Sequence, residues 1–464
     1  MSHTHSLDPL FSPESIILIG AAHTERKIGG IVLRNLLKSR AGIYPVNPKY
    51  EELMGTKAYA SVGAVKELFD AGHGSADLAI IIRPASEVPD ILRGLQGWTK
   101  TAIVVSAGFA ESGQHVLQDE IKSIGREGGI RLLGPNCLGV YDAHNKLDTF
   151  FLAQEKLKRP KKGNVAILSQ SGAVMTCLFD AVRASNTGMS KAVGYGNAVD
   201  IDESDIYDYL ADDPHTDIVI SYIESVGDGR KFINAAKALS EKKTLLTLKA
   251  GKGPGGGAAA FSHTGRLAGR YEVFSSVLRQ YGIHEVPDFD HLVDAAKALS
   301  CQGPQNKARD IMGGSGRRVC IITNGGGSGV LAADECMRQM LDVAQVPEEK
   351  VEKLRGIFPP FYSMNNPVDL TAQVTDSDYG LVLDMLKDDY DGFLVIALTA
   401  VKGVTTSLAD TIRKFRETSD SPIVLYTNDT GRSFKIPFEK AGIPVYPSPE
   451  RAARALSTLL SVRR

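Results

Sequence analysis

Short apolar runs alternate with amphipathic stretches along most of this chain. SIILIG (15–20), GIYPVN (42–47), DLAIIIRP (77–84), TAIVVSAG (101–108) and IRLLGPN (130–136) are nearly continuous in apolar residues. A strand that is apolar on both faces is covered on both faces, as in a parallel sheet flanked by helices. Between these runs, KIGGIVLRNLLKS (27–39) and HVLQDEIKSIGREGG (115–129) repeat apolar residues at helical spacing. The basic, proline-containing stretch EKLKRPKKG (155–163) interrupts the pattern. It resumes with NVAILSQ, KAVGYG, TDIVISYIES, TLLTLKAG and IHEVP as strands, and IDESDIYDYLADD and GRKFINAAKALSEK as helices. A polar, glycine-rich stretch (301–318) ends that block. In the last block RVCIITN, DGFLVIALTA, SPIVLYTND and IPVYP read as strands, and PERAARALSTLLS as the closing helix.

This order predicts an α/β protein of three consecutive doubly wound domains, 1–155, 163–300 and 317–464, the first of them Rossmann-like. The second and third open alike. NVAILSQSGAV (164–174) and RVCIITNGGGSGV (318–330) are each a buried strand, a small polar turn, a glycine and a helix start.

Composition narrows the function. The 464 residues suffice for about three domains, each with its own core. Lys and Arg (53) balance Asp and Glu (54), which argues against a nucleic-acid or membrane-surface partner. The five cysteines, at 137, 177, 301, 320 and 336, form no CxxC pair, so reduced thiols in a cytoplasmic protein are expected, and no metal site. Cys177 and Cys320 lie in apolar periodic stretches and are expected in the core. The start, MSHTHSLDP, lacks the basic and apolar regions of a signal peptide, and no apolar run reaches the roughly 18 residues of a membrane span.

Three sets of residues carry candidate chemistry. The first strand leads into GAAHTERKIGG (20–30), where only Gly20 fits a dinucleotide-binding GxGxxG. After the next strand, PVNPKY (45–50) has Lys49 where NAD would want a carboxylate, and a lysine there suits a ligand with an extra phosphate. Next, Ser169, Gln170, Ser171 and Gly172, and again Asn324, Gly325, Gly326 and Gly327, place backbone amides and small polar groups at a helix N-terminus. Such a site holds a phosphate without a lysine, although strand-to-helix turns also favour Gly and Ser for purely conformational reasons. The last set is Glu224, at the end of TDIVISYIES, and His263, in the small-residue loop GGGAAAFSHTGRLAG (255–269). Glu224 in this position could hold the Nδ1–H of an imidazole and leave Nε2 nucleophilic, or could equally be a capping or solvated carboxylate. The SQSGA turn, Glu224 and His263 all follow strands of one block, at the edge where α/β sheets bind ligands.

Together GAAHTERKIGG, IYPVNPKY, SAGF, LLGPNCLGV, ILSQSGAV, DDP, YIES, KAG, SHTG and NPVDLT, in this order over nearly the whole chain, resemble the α subunits of the ADP-forming acyl-CoA synthetases, acetyl-CoA synthetase in particular. These are relatives of succinyl-CoA synthetase. Gly20–His23 departs from the glycine-rich form of many members. The resemblance implies a CoA-binding first domain that uses Gly20, Lys27, Pro45, Asn47, Lys49, Pro84, Ser106, Ala107, Gly108 and Asn136. It implies that the second and third domains are flavodoxin-like, that His263 is transiently phosphorylated with Glu224 supporting its ring, and that both helix N-termini hold phosphate. The implied reaction is acyl-CoA (acetyl-CoA), ADP and phosphate to carboxylic acid, ATP and CoA, reversibly. No segment matches the ATP-grasp region that binds ADP or ATP with Mg²⁺ in this family. The resemblance therefore implies a separate β subunit and an α2β2 heterotetramer. Two other classes share the first domain: a nicotinamide-dependent oxidoreductase, and a non-catalytic CoA-sensing regulatory protein.

Overall fold

The computed structural model describes residues 5–253, 256, 270–303, 317–429 and 431–462. They divide into two units, Met1–Phe289 and Asp290–Arg464. The first unit carries two large sheets and a small two-stranded antiparallel one (Glu52–Leu53 with Thr56–Lys57). Strands β1 (Ser15–Ile19), β2 (Gly42–Val46), β3 (Ala76–Ile81), β4 (Thr99–Val104) and β5 (Arg131–Leu133) are all parallel, in the order β2-β1-β3-β4-β5. Helix α1 (Ile28–Leu36) follows β1, and α2 (His115–Gly128) precedes β5. Every residue of β1 is buried, as its unbroken apolar run requires of a strand covered on both faces.

The second sheet has seven strands: β6 (Gly139–Asp142), β7 (Leu147–Asp148), β8 (Lys162–Ser169), β9 (Met189–Gly194), β10 (Ile218–Ile223), β11 (Thr244–Lys249) and β12 (His284–Glu285). Their order is β12-β11-β10-β8-β9-β6-β7. Helices α3 (Gly172–Ala184), α4 (Glu203–Ala211) and α5 (Gly229–Ser240) connect them. Strands β6 and β7 were not foreseen in the sequence. They are antiparallel, and they join this sheet from upstream of the basic stretch 155–163. Both are too short to show a period; β6 is defined by its partner β9, and β7 by β6. Lys191 of β9 ties them in: its fully buried ammonium lies 3.1 Å from Asp142 of β6 and 3.0 Å from Asp213.

The second unit opens with α6 (Phe289–Gln302), whose residues from Asp290 on belong to it. Arg451 grips Asp294 of this helix at 2.6 and 2.8 Å, and Lys297 reaches Glu439 at 3.2 Å and the Val445 carbonyl at 2.9 Å. Strands β13 (Arg317–Thr323), β14 (Leu341–Asp342), β16 (Gly392–Ile396), β17 (Ile423–Tyr426) and β18 (Val445–Tyr446) run β14-β13-β16-β17-β18, with β15 (Val368–Asp369) also against β13. All these pairings are parallel. Helix α7 (Gly326–Arg338) follows β13, and α8 (Pro449–Ser461) closes the unit.

One core expectation fails. Cys320 is buried in β13, but Cys177 is exposed. Helix α3 buries Met175, Leu178, Phe179 and Val182, and this spacing turns Cys177 to the outer face with Ala173 and Asp180. An apolar residue type inside a periodic stretch does not by itself identify the buried stripe.

Candidate active site

Both large sheets of the first unit reverse their winding next to the strand that comes first in the parallel order. In the first sheet the crevice lies between β1 and β3. In such sheets ligands bind at this point, outside the carboxyl ends of the strands. Gly20 ends β1 with φ +91°, and a Cβ there would overlap the Ile82 carbonyl of the neighbouring strand. Gly29 does the reciprocal job in α1, since a Cβ on it would overlap the Gly20 carbonyl. These two glycines press the helix start against the crevice floor. Gly29→Ala is expected to cost about 1–3 kcal/mol and to weaken CoA binding along with it. Urea denaturation and CoA titration of the same variant check this, and an unshifted midpoint would show that α1 has room to move.

The other first-domain candidates surround the same edge. Asn47 Nδ2 donates to the Ala21 carbonyl and its Oδ1 accepts from Lys49 N, both at 2.8 Å, so Asn47 shapes the turn from within. Pro45 is buried in β2, while Lys27, Lys49, Pro84 and Ala107 are exposed. Ser106 Oγ donates to the Arg83 carbonyl at 2.5 Å, and Gly108 follows with φ +106°. Asn136 lies past β5, its amide donating to the Ser106 carbonyl at 2.9 Å. No side chain caps α1, whose N-cap residue is Lys27. A glycine cradle, an uncapped helix start and two exposed lysines suit a phosphate-rich ligand such as CoA. Glu111 was missed in the sequence. It accepts from Gly108 N (2.6 Å), Phe109 N (3.1 Å) and Asn197 Nδ2 (2.6 Å), which joins the SAGF turn to the second domain. Burial pushes its pKa up, but these donors outweigh burial and hold it below the usual carboxylate range.

In the second sheet the reversal lies between β8 and β10. The Ser169–Gly172 turn leaves β8 there and Glu224 leaves β10, so the structure brings these sequence candidates together. Ser169 Oγ donates to the Ser171 carbonyl (2.8 Å), and Ser171 Oγ caps α3 by accepting from Val174 N (3.3 Å). Among the described residues nothing lies within 4 Å of where a Cβ on Gly172 would sit. Gln170 is differently employed. Its backbone N–H donates to the Tyr222 carbonyl and its side chain binds the backbone at Glu224 and Ser225, so that side chain is engaged by the backbone after β10. Burial pushes the Tyr222 phenol well up, and the carboxylate of Glu224, its hydrogen-bond partner, adds to this. His263 lies outside the described residues.

The second unit repeats the turn with a difference. Asn324 exchanges hydrogen bonds with the Leu398 backbone at 3.0 and 2.8 Å, and Thr323 Oγ1 braces Gly325 at 2.9 Å. A Cβ on Gly326 would stand 2.8 Å from Asp369 Oδ2. A carboxylate beside a helix N-terminus is favourable, and here it places a negative group at the very end where the sequence suggested phosphate. The described residues include no group of three or more His, Cys, Asp or Glu that could hold a metal, and no helix long and apolar enough to cross a membrane.

Three domain families match the chain in order: a CoA binding domain over residues 14–143, a succinyl-CoA ligase like flavodoxin domain over 162–299 and a Ligase-CoA domain over 319–408. The α subunit of acetate–CoA ligase (ADP-forming) II from Pyrococcus furiosus is 35% identical over 473 residues, covering 98% of this chain and 97% of that one. The chain belongs to the family of ADP-forming acetate–CoA ligase α subunits. Acetate–CoA ligase (ADP-forming) from Methanocaldococcus jannaschii is 37% identical over 459 residues, but this chain spans only 62% of that longer protein. The fold is shared as well. The dinucleotide-forming acetyl-coenzyme A synthetase 1 of Ca. Korarchaeum cryptofilum, solved with phosphate and ADP, superposes with a TM-score of 0.86 at 32% identity, over 98% of this chain and 96% of that one. These relatives favour neither the oxidoreductase nor the CoA sensor.

Proposed function

We propose that this chain is the α subunit of a reversible ADP-forming acyl-CoA ligase, acetyl-CoA being its reference substrate, and that it carries the acyl-phosphate half of the reaction. CoA binding is assigned to 1–155 and the phosphorylated histidine to 163–300. A phosphate oxygen attacks the thioester carbonyl, the C–S bond breaks and CoA leaves as thiolate. Nε2 of His263 then attacks phosphorus, the P–O bond to the acyl group breaks and the carboxylate is released. The P–N bond finally breaks as the phosphoryl group passes to ADP. The Gly172 and Ala173 amides at the mouth of α3 hold the phosphate, and Glu224 takes the Nδ1–H of His263. The Asn324–Gly327 turn is assigned a phosphate too, as the weaker of the two because Asp369 opposes it. The observation that carries this reading is the meeting of a helix N-terminus and a buried carboxylate at one winding reversal.

ADP or ATP, with Mg²⁺, is assigned to a separate ATP-grasp β subunit in an α2β2 heterotetramer. This is supported by the Pyrococcus furiosus relative of matching length, named a subunit, and by the longer single chain of Methanocaldococcus jannaschii. Free cysteines fit a cytoplasmic setting.

On this division of labour the chain alone is expected to be phosphorylated by acetyl-CoA plus labelled phosphate, and not by labelled ATP. The label should be acid-labile and stable to base, as phosphohistidine is. Strong labelling by ATP without a partner would overturn the subunit division. If neither donor labels the chain alone, repeating the assay with the reconstituted complex decides the chemistry.

A further inference from the structure

We propose that Gln170 and Lys249 form a two-sided clamp that positions Glu224; this rests on the reading of Glu224 as the support of His263. The strand ladders show why a clamp is needed. The register of β8 with β10 ends at Ser169 and Tyr222, and that of β10 with β11 ends at Ile223 and Lys249. Glu224 is therefore the first residue beyond both ladders. Its peptide groups have left the sheet but remain buried, where an unpaired N–H or C=O is costly.

Two long polar side chains take over, one from each neighbouring strand end. Gln170 Oε1 accepts from Glu224 N at 2.5 Å and from Ser225 N at 2.9 Å, while its Nε2 donates to Ser225 Oγ at 3.3 Å. A carbonyl oxygen has two lone pairs, so one side-chain amide satisfies two successive backbone donors. From the other side Lys249 Nζ donates to the Glu224 carbonyl at 2.7 Å and to the Ala250 carbonyl. Gln170, Lys249, Glu224 and Ser225 are 5%, 3%, 4% and 1% exposed. The N–H and the C=O of the residue bearing the carboxylate are thus gripped from opposite flanks. Burial pulls the Lys249 ammonium below the usual lysine range, and the Glu224 charge counters this. A buried ammonium at this place is a costly way to fill space that a methionine would fill. Gln170 also links two functions, because it sits in the turn that opens onto the α3 mouth. Neither residue touches the reacting atoms; both are positioning residues.

A double-mutant cycle on the assembled enzyme tests the clamp, with acetyl-CoA and labelled phosphate as probes and the single-turnover rate of histidine labelling as readout. Gln170→Leu keeps the side-chain bulk and removes the acceptor. It is expected to slow labelling by about tenfold or more, since a small misplacement of a positioned group costs rate on this scale. CoA affinity should be unchanged. In the Glu224→Gln background the same substitution should add less than about twofold, because its effect passes through the carboxylate. Lys249→Met, which keeps a side chain of similar length and removes the ammonium, should behave likewise and serves if Gln170→Leu does not fold. Equal slowing in both backgrounds, or none in either, overturns the clamp while the reading of Glu224 stands. Wild-type labelling by Glu224→Gln alone overturns that reading, and the clamp with it.

Discussion

His263→Ala is expected to abolish both acid formation and ATP synthesis while CoA binds with near wild-type affinity. The two outcomes separate because the CoA candidates surround the winding reversal of the first sheet, whereas His263 follows β11 of the second sheet in the sequence. Loss of a covalent nucleophile leaves only the rate supplied by binding and electrostatics, so the fall should be many orders of magnitude beyond any effect of a loop substitution. Phosphate-dependent turnover and CoA affinity are to be measured on the same preparation. Turnover within about tenfold of wild type would rule out a covalent role for His263.

Glu224→Gln carries the second largest expected effect. Glutamine keeps the shape of the side chain, so the backbone bonds to Gln170 and Lys249 persist, and only the negative charge is lost. The charge matters because an imidazole becomes cationic as it takes the phosphoryl group, and a carboxylate against Nδ1–H both fixes the tautomer and stabilises that cation. Phosphorylation should slow by roughly a hundredfold or more without disappearing, as in other carboxylate–histidine pairs. Labelling at the wild-type rate would reduce Glu224 to a structural residue.

The main strands were legible in the sequence because parallel strands buried on both faces leave unbroken apolar runs. SIILIG, NVAILSQ and RVCIITN all proved to be strands that lead into a polar turn and a helix. What escaped was decided by partners far along the chain. Strands β6 and β7 exist because β9 offers an edge, and α6 joins the second unit because Arg451 holds Asp294. The candidate site shows the same limit. The SQSGA turn and Glu224 could be paired in advance, since each ends a strand of one block. Gln170 reads in sequence as a phosphate candidate, while its side chain binds the Glu224 and Ser225 backbone; a side chain that turns back to support a neighbouring strand looks the same in sequence as one that points at an anion. Lys249 left a faint signal that went unused: a lysine closing a buried strand, TLLTLKAG, must find oxygen atoms in a buried place. Asp369 left none, because its closeness to Gly326 depends on β15 pairing with β13.

Strands β6 and β7 also bear on how this chain can be cut. The basic stretch 155–163 looks like a natural seam, and a fragment ending there would be the obvious stand-alone CoA-binding piece. Such a fragment would carry off two outer strands that belong to the other sheet, with Asp142 separated from Lys191. The piece left behind would present the bare edge of β9, a row of unpaired amides and carbonyls ready to recruit another chain, with a buried lysine short of one counter-charge. Gene fusions, truncations and swapped modules built on this scaffold will therefore keep their solubility only if residues 139–148 travel with the downstream domain, whatever else is exchanged.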